Sequence, residues 1–117
     1  MLPNSLSMRP ESKKYLSDID YSIGLIEDFL VEFTFHKYQD DLKTKSAVER
    51  QLGIIGEAVN NYKKLENFEL SHSREIIAFR NRLIHAYNNL EDEIIWAIVK
   101  RHLPLLKEEI IVLLKKS

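Results

Sequence analysis

Residues 47–65 read AVERQLGIIGEAVNNYKKL, and this stretch decides the fold class. Its apolar residues recur at intervals of three and four, which is the spacing of one face of an α-helix. They are Ala47, Val48, Leu52, Ile55, Ala58, Val59, Tyr62 and Leu65. A hydroxyl at Thr44 or Ser46 can accept a hydrogen bond from the amides of the first turn, so one of these residues is predicted to cap the helix.

Two glycines and one carboxylate interrupt the apolar stripe of this helix. Gly53 and Gly56 each cost up to about 1 kcal/mol relative to Ala, so we favour close approach of another helix over two merely tolerated glycines. Glu57 sits within the stripe, where an unpaired carboxylate would be costly. We therefore expect Glu57 to pair with an arginine, either Arg80 or Arg82.

Helical spacing continues on both sides of this stretch. Further helices are predicted at residues 11–34, at about 74–87, and from 89 to about 115. Residues 34–43 show no clear period and are interpreted as a connection. Asn89 followed by Asp92 is typical of a helix start. Pro104 removes one backbone hydrogen bond inside the last helix, so a kink is expected there.

The composition agrees with a small helical domain. The chain has 117 residues with only three Gly and three Pro, and residues 11–103 contain no proline. These features argue against a turn-rich β-fold. We predict an all-α, antiparallel four-helix bundle in one domain at residues 11–117, preceded by a flexible segment at 1–10. Because a chain of this size buries a limited share of its surface, dimerisation is a plausible further source of burial.

Several classes of function are excluded at this stage. There is no cysteine, so disulfides, thiolate metal sites and cysteine nucleophiles are ruled out. No apolar run approaches the length of a membrane span, and the N-terminal residues lack the apolar region of a secretory signal. We therefore expect a cytoplasmic protein. Lys and Arg (17) nearly balance Asp and Glu (18), so nucleic-acid binding would need a local basic patch.

The locally basic patch is SHSREIIAFRNRLIHAY, residues 71–87. A guanidinium such as Arg80 grips a phosphate, and an imidazole such as His85 can take a proton from a ribose 2′-hydroxyl. On a regular helix these two residues point about 140° apart. They converge if the helix ends near His85, or if a two-fold axis sets one chain's Arg80 against the partner's His85. Asn81 lies four residues before His85 and shares its face.

Simpler interpretations of the polar residues remain open. Most charge clusters are solvated faces, so Arg80 and Arg82 can pair with acidic residues while His85 and Tyr87 pack or cap. Glu69 and His72 form a single E-x-x-H, which is too little for a metal site in a bundle.

Two features near the C-terminus have open readings as well. The basic run Lys100, Arg101 and His102 is interpreted as a solvated face, with an edge that binds RNA phosphates as the alternative. Trp96 is interpreted as a packing residue rather than a platform for nucleobases.

Arg80, His85 and Tyr87 match the R-x4-6-H-x-Y signature of HEPN domains. The surrounding sequence is similar to the HepT-like branch of that family, ribonuclease toxins paired with an MntA-type minimal nucleotidyltransferase antitoxin. The resemblance covers about residues 8–114. It is carried by LGIIGEAVNNY (52–62), REIIAFRNRLIHAYNNLEDEIIWAIVK (74–100) and LPLLKEEI (103–110).

The resemblance implies a function for each matching residue. Arg80 and His85 would be the catalytic pair of a homodimer that cuts RNA without a metal or cofactor, in a cleft formed by two chains. Tyr87 would accept AMP from the antitoxin, and Asn81 would support the site. One alternative is a non-catalytic HEPN helper that binds a nucleotidyltransferase or a nucleotide. Another is a helical dimer in which the polar triplet is only an ion-pair network, with Arg80 paired and inaccessible.

Overall fold

The computed structural model describes residues 8–83 and 90–116, and all regular structure in these ranges is helical. The helices are α1 (Pro10–Phe29), α2 (Phe35–Asp40), α3 (Leu42–Glu66), α4 (Arg74–Leu83), α5 (Leu90–Ala97) and α6 (Leu103–Lys116). A π-helical turn at Ile98–His102 joins α5 to α6, so these two helices form one continuous run. The predicted all-α fold is confirmed.

Contacts between helix ends give the directions of the helices. The Glu66 carboxylate at the end of α3 accepts hydrogen bonds from the Arg9 amide, at 3.3 Å, and from the Ser12 hydroxyl at the start of α1. Lys107 near the start of α6 donates to Glu27 near the end of α1, at 2.7 Å. Helices α3 and α6 therefore both run opposite to α1, as in the predicted antiparallel bundle.

The core lies where α1, α3, α4 and the α5–α6 run meet. The apolar stripe of residues 47–65 is buried there as predicted, and it packs mainly against α1. Among the fully buried side chains are Leu16, Ile19, Ile23, Ile26, Leu52, Ile55, Tyr62, Ile76, Ile95 and Leu103. Met8 is buried as well, while residues 1–7 of the predicted N-terminal segment lie outside the described residues.

Helix α1 ends five residues earlier than predicted, and part of the predicted connection is helical. Leu30 remains buried after the helix has ended, so the apolar period continues through a turn in which Glu32 adopts a positive φ of 63°. Thr34 has extended backbone angles, and its hydroxyl accepts from the Lys37 amide at 3.2 Å. This cap starts helix α2. With six residues, the helix is too short to show a clear apolar period in the sequence.

The start of α3 was also predicted wrongly. Asp41, not Thr44 or Ser46, caps the helix, and its carboxylate accepts from the Thr44 amide at 3.0 Å. That backbone hydrogen bond lowers the pKa of the Asp41 carboxyl below its usual value. At its other end α3 stops at Asn67, which takes the left-handed conformation that asparagine tolerates well.

A π-helical turn directly precedes Pro104, where the sequence predicts a kink. Proline cannot donate to the carbonyl of Lys100, so the regular ladder is broken one turn before it. The Leu103 amide instead donates to the carbonyl of Ile98, five residues back. The chain thus remains helical through the proline by widening one turn.

Across residues 8–83 and 90–116, none of the helices has the length and apolar character needed to cross a membrane.

Candidate active site

Arg80 lies on the second turn of α4, on the side that faces α3. Ser73 precedes the helix, and its carbonyl accepts from the Ile77 amide at 2.9 Å, which starts the helical ladder. Ile76 and Phe79 are buried and anchor α4 in the core. Arg80, the next residue, is thereby held at the edge of the core with 29% of its side chain exposed.

Gly56 of α3 provides the space for the Arg80 side chain. A β-carbon added at Gly56 would lie 2.9 Å from the Cβ of Arg80 and 3.0 Å from its Cδ, which is closer than packed carbons approach. The same β-carbon at Gly53 would meet nothing within 4 Å. The glycines were expected to allow close approach of another helix backbone. At Gly56 the close neighbour is instead the Arg80 side chain of α4, and at Gly53 the expectation is wrong.

Glu57 holds the other end of the Arg80 side chain. Its Oε2 accepts from Nη2 of Arg80 at 2.5 Å, which confirms the expected pairing of this carboxylate with an arginine. Its assignment to a buried stripe was wrong, since 58% of the Glu57 side chain is exposed. An ion pair this exposed contributes little to stability, on the order of 1 kcal/mol or less. A guanidinium has five N–H donors, so this one bond to Glu57 does not use all of them.

The structure brings together only part of the predicted site. Asn81 lies on α4 directly after Arg80 and is exposed. His85 and Tyr87 lie outside the described residues, so their convergence with Arg80 stays a prediction. The pairing expected if the triplet is only an ion-pair network is present at Arg80, whose side chain is 29% exposed in the single chain. The inaccessibility expected in a dimer stays a prediction.

A second ion pair fixes the start of α5, the helix that follows the segment with His85 and Tyr87. Nζ of Lys45 on α3 donates to Oδ2 of Asp92 at 2.9 Å, with only 16% and 8% of the two side chains exposed. Tyr38 is buried near Asp92, and its pKa is raised by burial and by the charges of Glu49 and Asp92. Helix α3 thus holds the chain on both sides of the segment.

The sequence analysis missed the role of Lys45, although a signal for it exists. Lys45 precedes Val48 by three residues and Leu52 by seven, which places it on the buried face of α3. A lysine on such a face needs an acidic partner. The partner could not be chosen from sequence, because Asp92 was assigned to a helix start.

The E-x-x-H residues do not form a metal site. Glu69 lies 3.6 Å from Nε of Arg74 and 4.0 Å from Nζ of Lys63, while the His72 ring lies 6.2 Å from the His102 ring. In the part of the chain that the structure describes, no three His, Cys, Asp or Glu side chains are grouped so that they could bind a metal ion.

Comparison with known proteins identifies the family. The family model described as "Ribonuclease HepT-like" matches residues 19–113. The chain belongs to the HepT-like family. The "Probable ribonuclease HepT" of Thermococcus cleftensis is 40% identical over 104 residues, which span 86% of this chain and 93% of that protein.

A second relative is larger than this chain. The "Gamma-glutamylcyclotransferase and putative RNase" of Methanocaldococcus jannaschii is 36% identical over 115 residues, which are 93% of this HepT-like chain and 50% of that protein. The comparison with solved structures found no significant match.

We call the contacts of Arg80 with Gly56 and Glu57 the Arg80 seat. Gly53 and Gly56 of α3 provide a matched test of it. We expect Gly56→Ala to destabilise the fold by about 1–3 kcal/mol, because the new methyl group overpacks against Arg80. Gly53→Ala should instead stabilise it by up to about 1 kcal/mol, because alanine favours the helix and meets open space. Urea unfolding measures both free energies. Equal effects of the two substitutions would contradict the seat.

Two lysine–carboxylate pairs, one buried and one more exposed, provide a second test. Lys45→Met leaves the Asp92 carboxylate buried without its partner and should destabilise the fold by roughly 3 kcal/mol. Lys107→Met breaks the more exposed pair with Glu27 and should cost less than about 1 kcal/mol. Adding Asp92→Leu to Lys45→Met should restore most of the loss in urea unfolding. A double variant as unstable as the single one would show that the pair itself is not the cause.

Proposed function

We propose that this chain is a metal-independent endoribonuclease, the toxin of a toxin–antitoxin pair. Membership of the HepT-like family supports the reaction class. The observation that carries the proposal to particular residues is the Arg80 seat: Gly56 and Glu57 orient a guanidinium that stays partly exposed. Such a group can bind an RNA phosphate with its remaining donors.

In the proposed reaction, Arg80 binds the scissile phosphate and stabilises the charge that develops on it. His85 takes the proton of the ribose 2′-hydroxyl, and the 2′-oxygen attacks phosphorus. The bond from phosphorus to the 5′-oxygen of the next nucleotide breaks, and that oxygen receives a proton from an imidazolium. The product carries a 2′,3′-cyclic phosphate. The nucleophile comes from the substrate, so the chemistry uses no metal-activated water.

The proposed active unit is a homodimer. Arg80 and His85 are five residues apart, which on a regular helix separates them by about 140°. A two-fold axis would set the Arg80 of one chain beside the partner's His85 and complete the site twice. Asn81, exposed beside Arg80, would orient the imidazole or bind a phosphate oxygen.

We further propose that an MntA-type nucleotidyltransferase switches the enzyme off by modifying Tyr87. The Tyr87 oxygen attacks the α-phosphorus of ATP as its hydroxyl proton passes to solvent, and the bond from that phosphorus to the β-phosphate oxygen breaks. AMP becomes attached to the phenolic oxygen, and pyrophosphate leaves. The added phosphate brings negative charge and bulk to a cleft that must admit an RNA phosphate. A non-catalytic helper that binds the same nucleotidyltransferase is the alternative function.

Removal of the proposed base tests the ribonuclease. We expect His85→Ala to abolish RNA cleavage and growth arrest while the helical circular dichroism is unchanged, because the proton acceptor is lost and the fold is not. His72→Ala is the matched control, since His72 lies in the loop before α4, and it should cleave normally. Full activity of His85→Ala would refute the assignment.

Co-expression tests the off-switch. The chain alone should arrest bacterial growth, and a co-expressed nucleotidyltransferase partner should relieve the arrest and add mass in steps of one AMP to the purified protein. Tyr87→Phe lacks the acceptor oxygen and should show no added mass. Normal growth with unmodified mass in both cultures would favour the non-catalytic helper.

A further inference from the structure

An open groove lies beside the single tryptophan of the chain, on the α5 side of the fold. We call it the Trp96 groove, and its lining residues are Phe35, Glu93, Trp96, Ala97, Lys100 and Arg101. Its volume is about 340 Å³. Small-ligand sites start at about 300 Å³, so the groove has room for a group of that size.

Two aromatic side chains contact Trp96 and hold it in place. Trp96 packs on the buried Tyr38 with ring centroids 5.5 Å apart, and on Phe35 at 5.8 Å. Both contacts are tilted, and Trp96 itself remains partly exposed. Trp96 was predicted to be a packing residue, and it does pack on these rings while it also lines the groove. The rest of the ring forms a wall of the groove.

Two exposed cations complete the groove. Nζ of Lys100 lies 4.8 Å from the centroid of the Trp96 ring. Arg101 follows Trp96 by five residues, and on a regular α-helix it would point about 140° away from it. The wider π-helical turn at Ile98–His102 moves the fifth residue back toward the same side, and Arg101 does line the groove. The turn that accommodates Pro104 therefore places both cations beside one aromatic ring.

We infer that the Trp96 groove binds a nucleobase of single-stranded RNA, which stacks on Trp96 in place of the Lys100 ammonium that lies over the ring, while the adjoining phosphates contact Lys100 and Arg101. An aromatic face flanked by cations is the arrangement that binds unpaired bases joined by phosphates. Glu93, the acidic residue of the lining, can accept a hydrogen bond from a base amino group. The net charge of −1 hides this patch, because the excess of positive charge is local.

The position of the groove suits the substrate of the proposed ribonuclease, on which this inference rests. Helix α5 begins at Leu90, directly after the segment with His85 and Tyr87. Trp96 lies six residues further along, about 9 Å at the rise of an α-helix. Under the proposed function, the strand that is cut at the active site is the same strand that occupies the groove. Stacking there would select unpaired RNA and favour particular bases next to the cut.

Because Trp96 is the only tryptophan, its fluorescence reports on this groove directly. The full-length His85→Ala chain is titrated with short single-stranded oligouridylate and oligoadenylate, so that binding is measured without cleavage. We expect saturable quenching of Trp96, and none from the same strand in an RNA duplex. An abasic strand of equal length should bind more weakly and not quench. Equal quenching by duplex and single strand, or none at all, would overturn the inference.

Charge reversal identifies the phosphate contacts without disturbing the core. Lys100→Glu with Arg101→Glu should weaken binding of the oligonucleotides on the order of tenfold. The slope of log K against log salt concentration should become less steep by about 0.7 for each lost phosphate contact. The matched control is Lys115→Glu with Lys116→Glu, two exposed residues in the last turn of α6. Equal weakening by both double variants would show only a general charge effect and would overturn the site.

The cleavage assay with the unsubstituted chain separates this inference from the proposed function. Cleavage of RNA without quenching of Trp96 would refute the groove and leave the ribonuclease intact. Quenching without cleavage would support the groove and refute the ribonuclease. A fluorescence change with peptides and none with RNA would assign the groove to a protein partner and overturn the inference.

Discussion

The contact between the Arg80 stem and Gly56 sets the distance between α3 and α4, and the rest of the site depends on it. The first three carbons of the arginine side chain occupy the volume that a residue with a β-carbon would need at position 56. The backbone of α4 at Arg80 can therefore lie close to α3 opposite Gly56. The guanidinium then emerges beside the next residue of α3, Glu57, which binds it. One missing side chain thus fixes where the positive charge of the site is located.

Much of the fold follows from periodicity alone, because burial of an apolar face requires it at intervals of three and four. The limits of this signal show at the end of α1. Leu30 stays buried after the helix has ended, so the apolar pattern does not distinguish a turn that packs on the core from a helix that does. The hydrogen bond from the Lys37 amide to the Thr34 hydroxyl determines where the next helix begins, because it caps the first turn of α2. Similarly, Pro104 predicts a defect but not its form, which depends on which carbonyl accepts the Leu103 amide.

The candidate site was predictable where one helix carries the information and not where two helices meet. The Glu57–Arg80 pair was expected from the cost of an unpaired carboxylate, yet Glu57 is more exposed than its place in the stripe indicates. Gly53 and Gly56 look alike in the sequence, and only the position of α4 shows that one of them is needed. Lys45 lacked an identifiable partner for the same reason. The roles of His85 and Tyr87 come from the resemblance to HepT-like proteins, not from geometry.

The two ion pairs of α3 differ in burial, and this difference matches the function proposed for each. Twelve residues, about 18 Å along the helix, separate Lys45 from Glu57. Asp92 and Lys45 are largely buried, so neither can be released without leaving a charge away from water, and the start of α5 is held firmly. Arg80 and Glu57 meet near solvent, where the net value of the pair is small. Because a guanidinium has five N–H donors, Arg80 can stay paired with Glu57 and still offer a phosphate two parallel hydrogen bonds. The same helix thus supplies a buried anchor on one side of the proposed active-site segment and a more exposed one on the other.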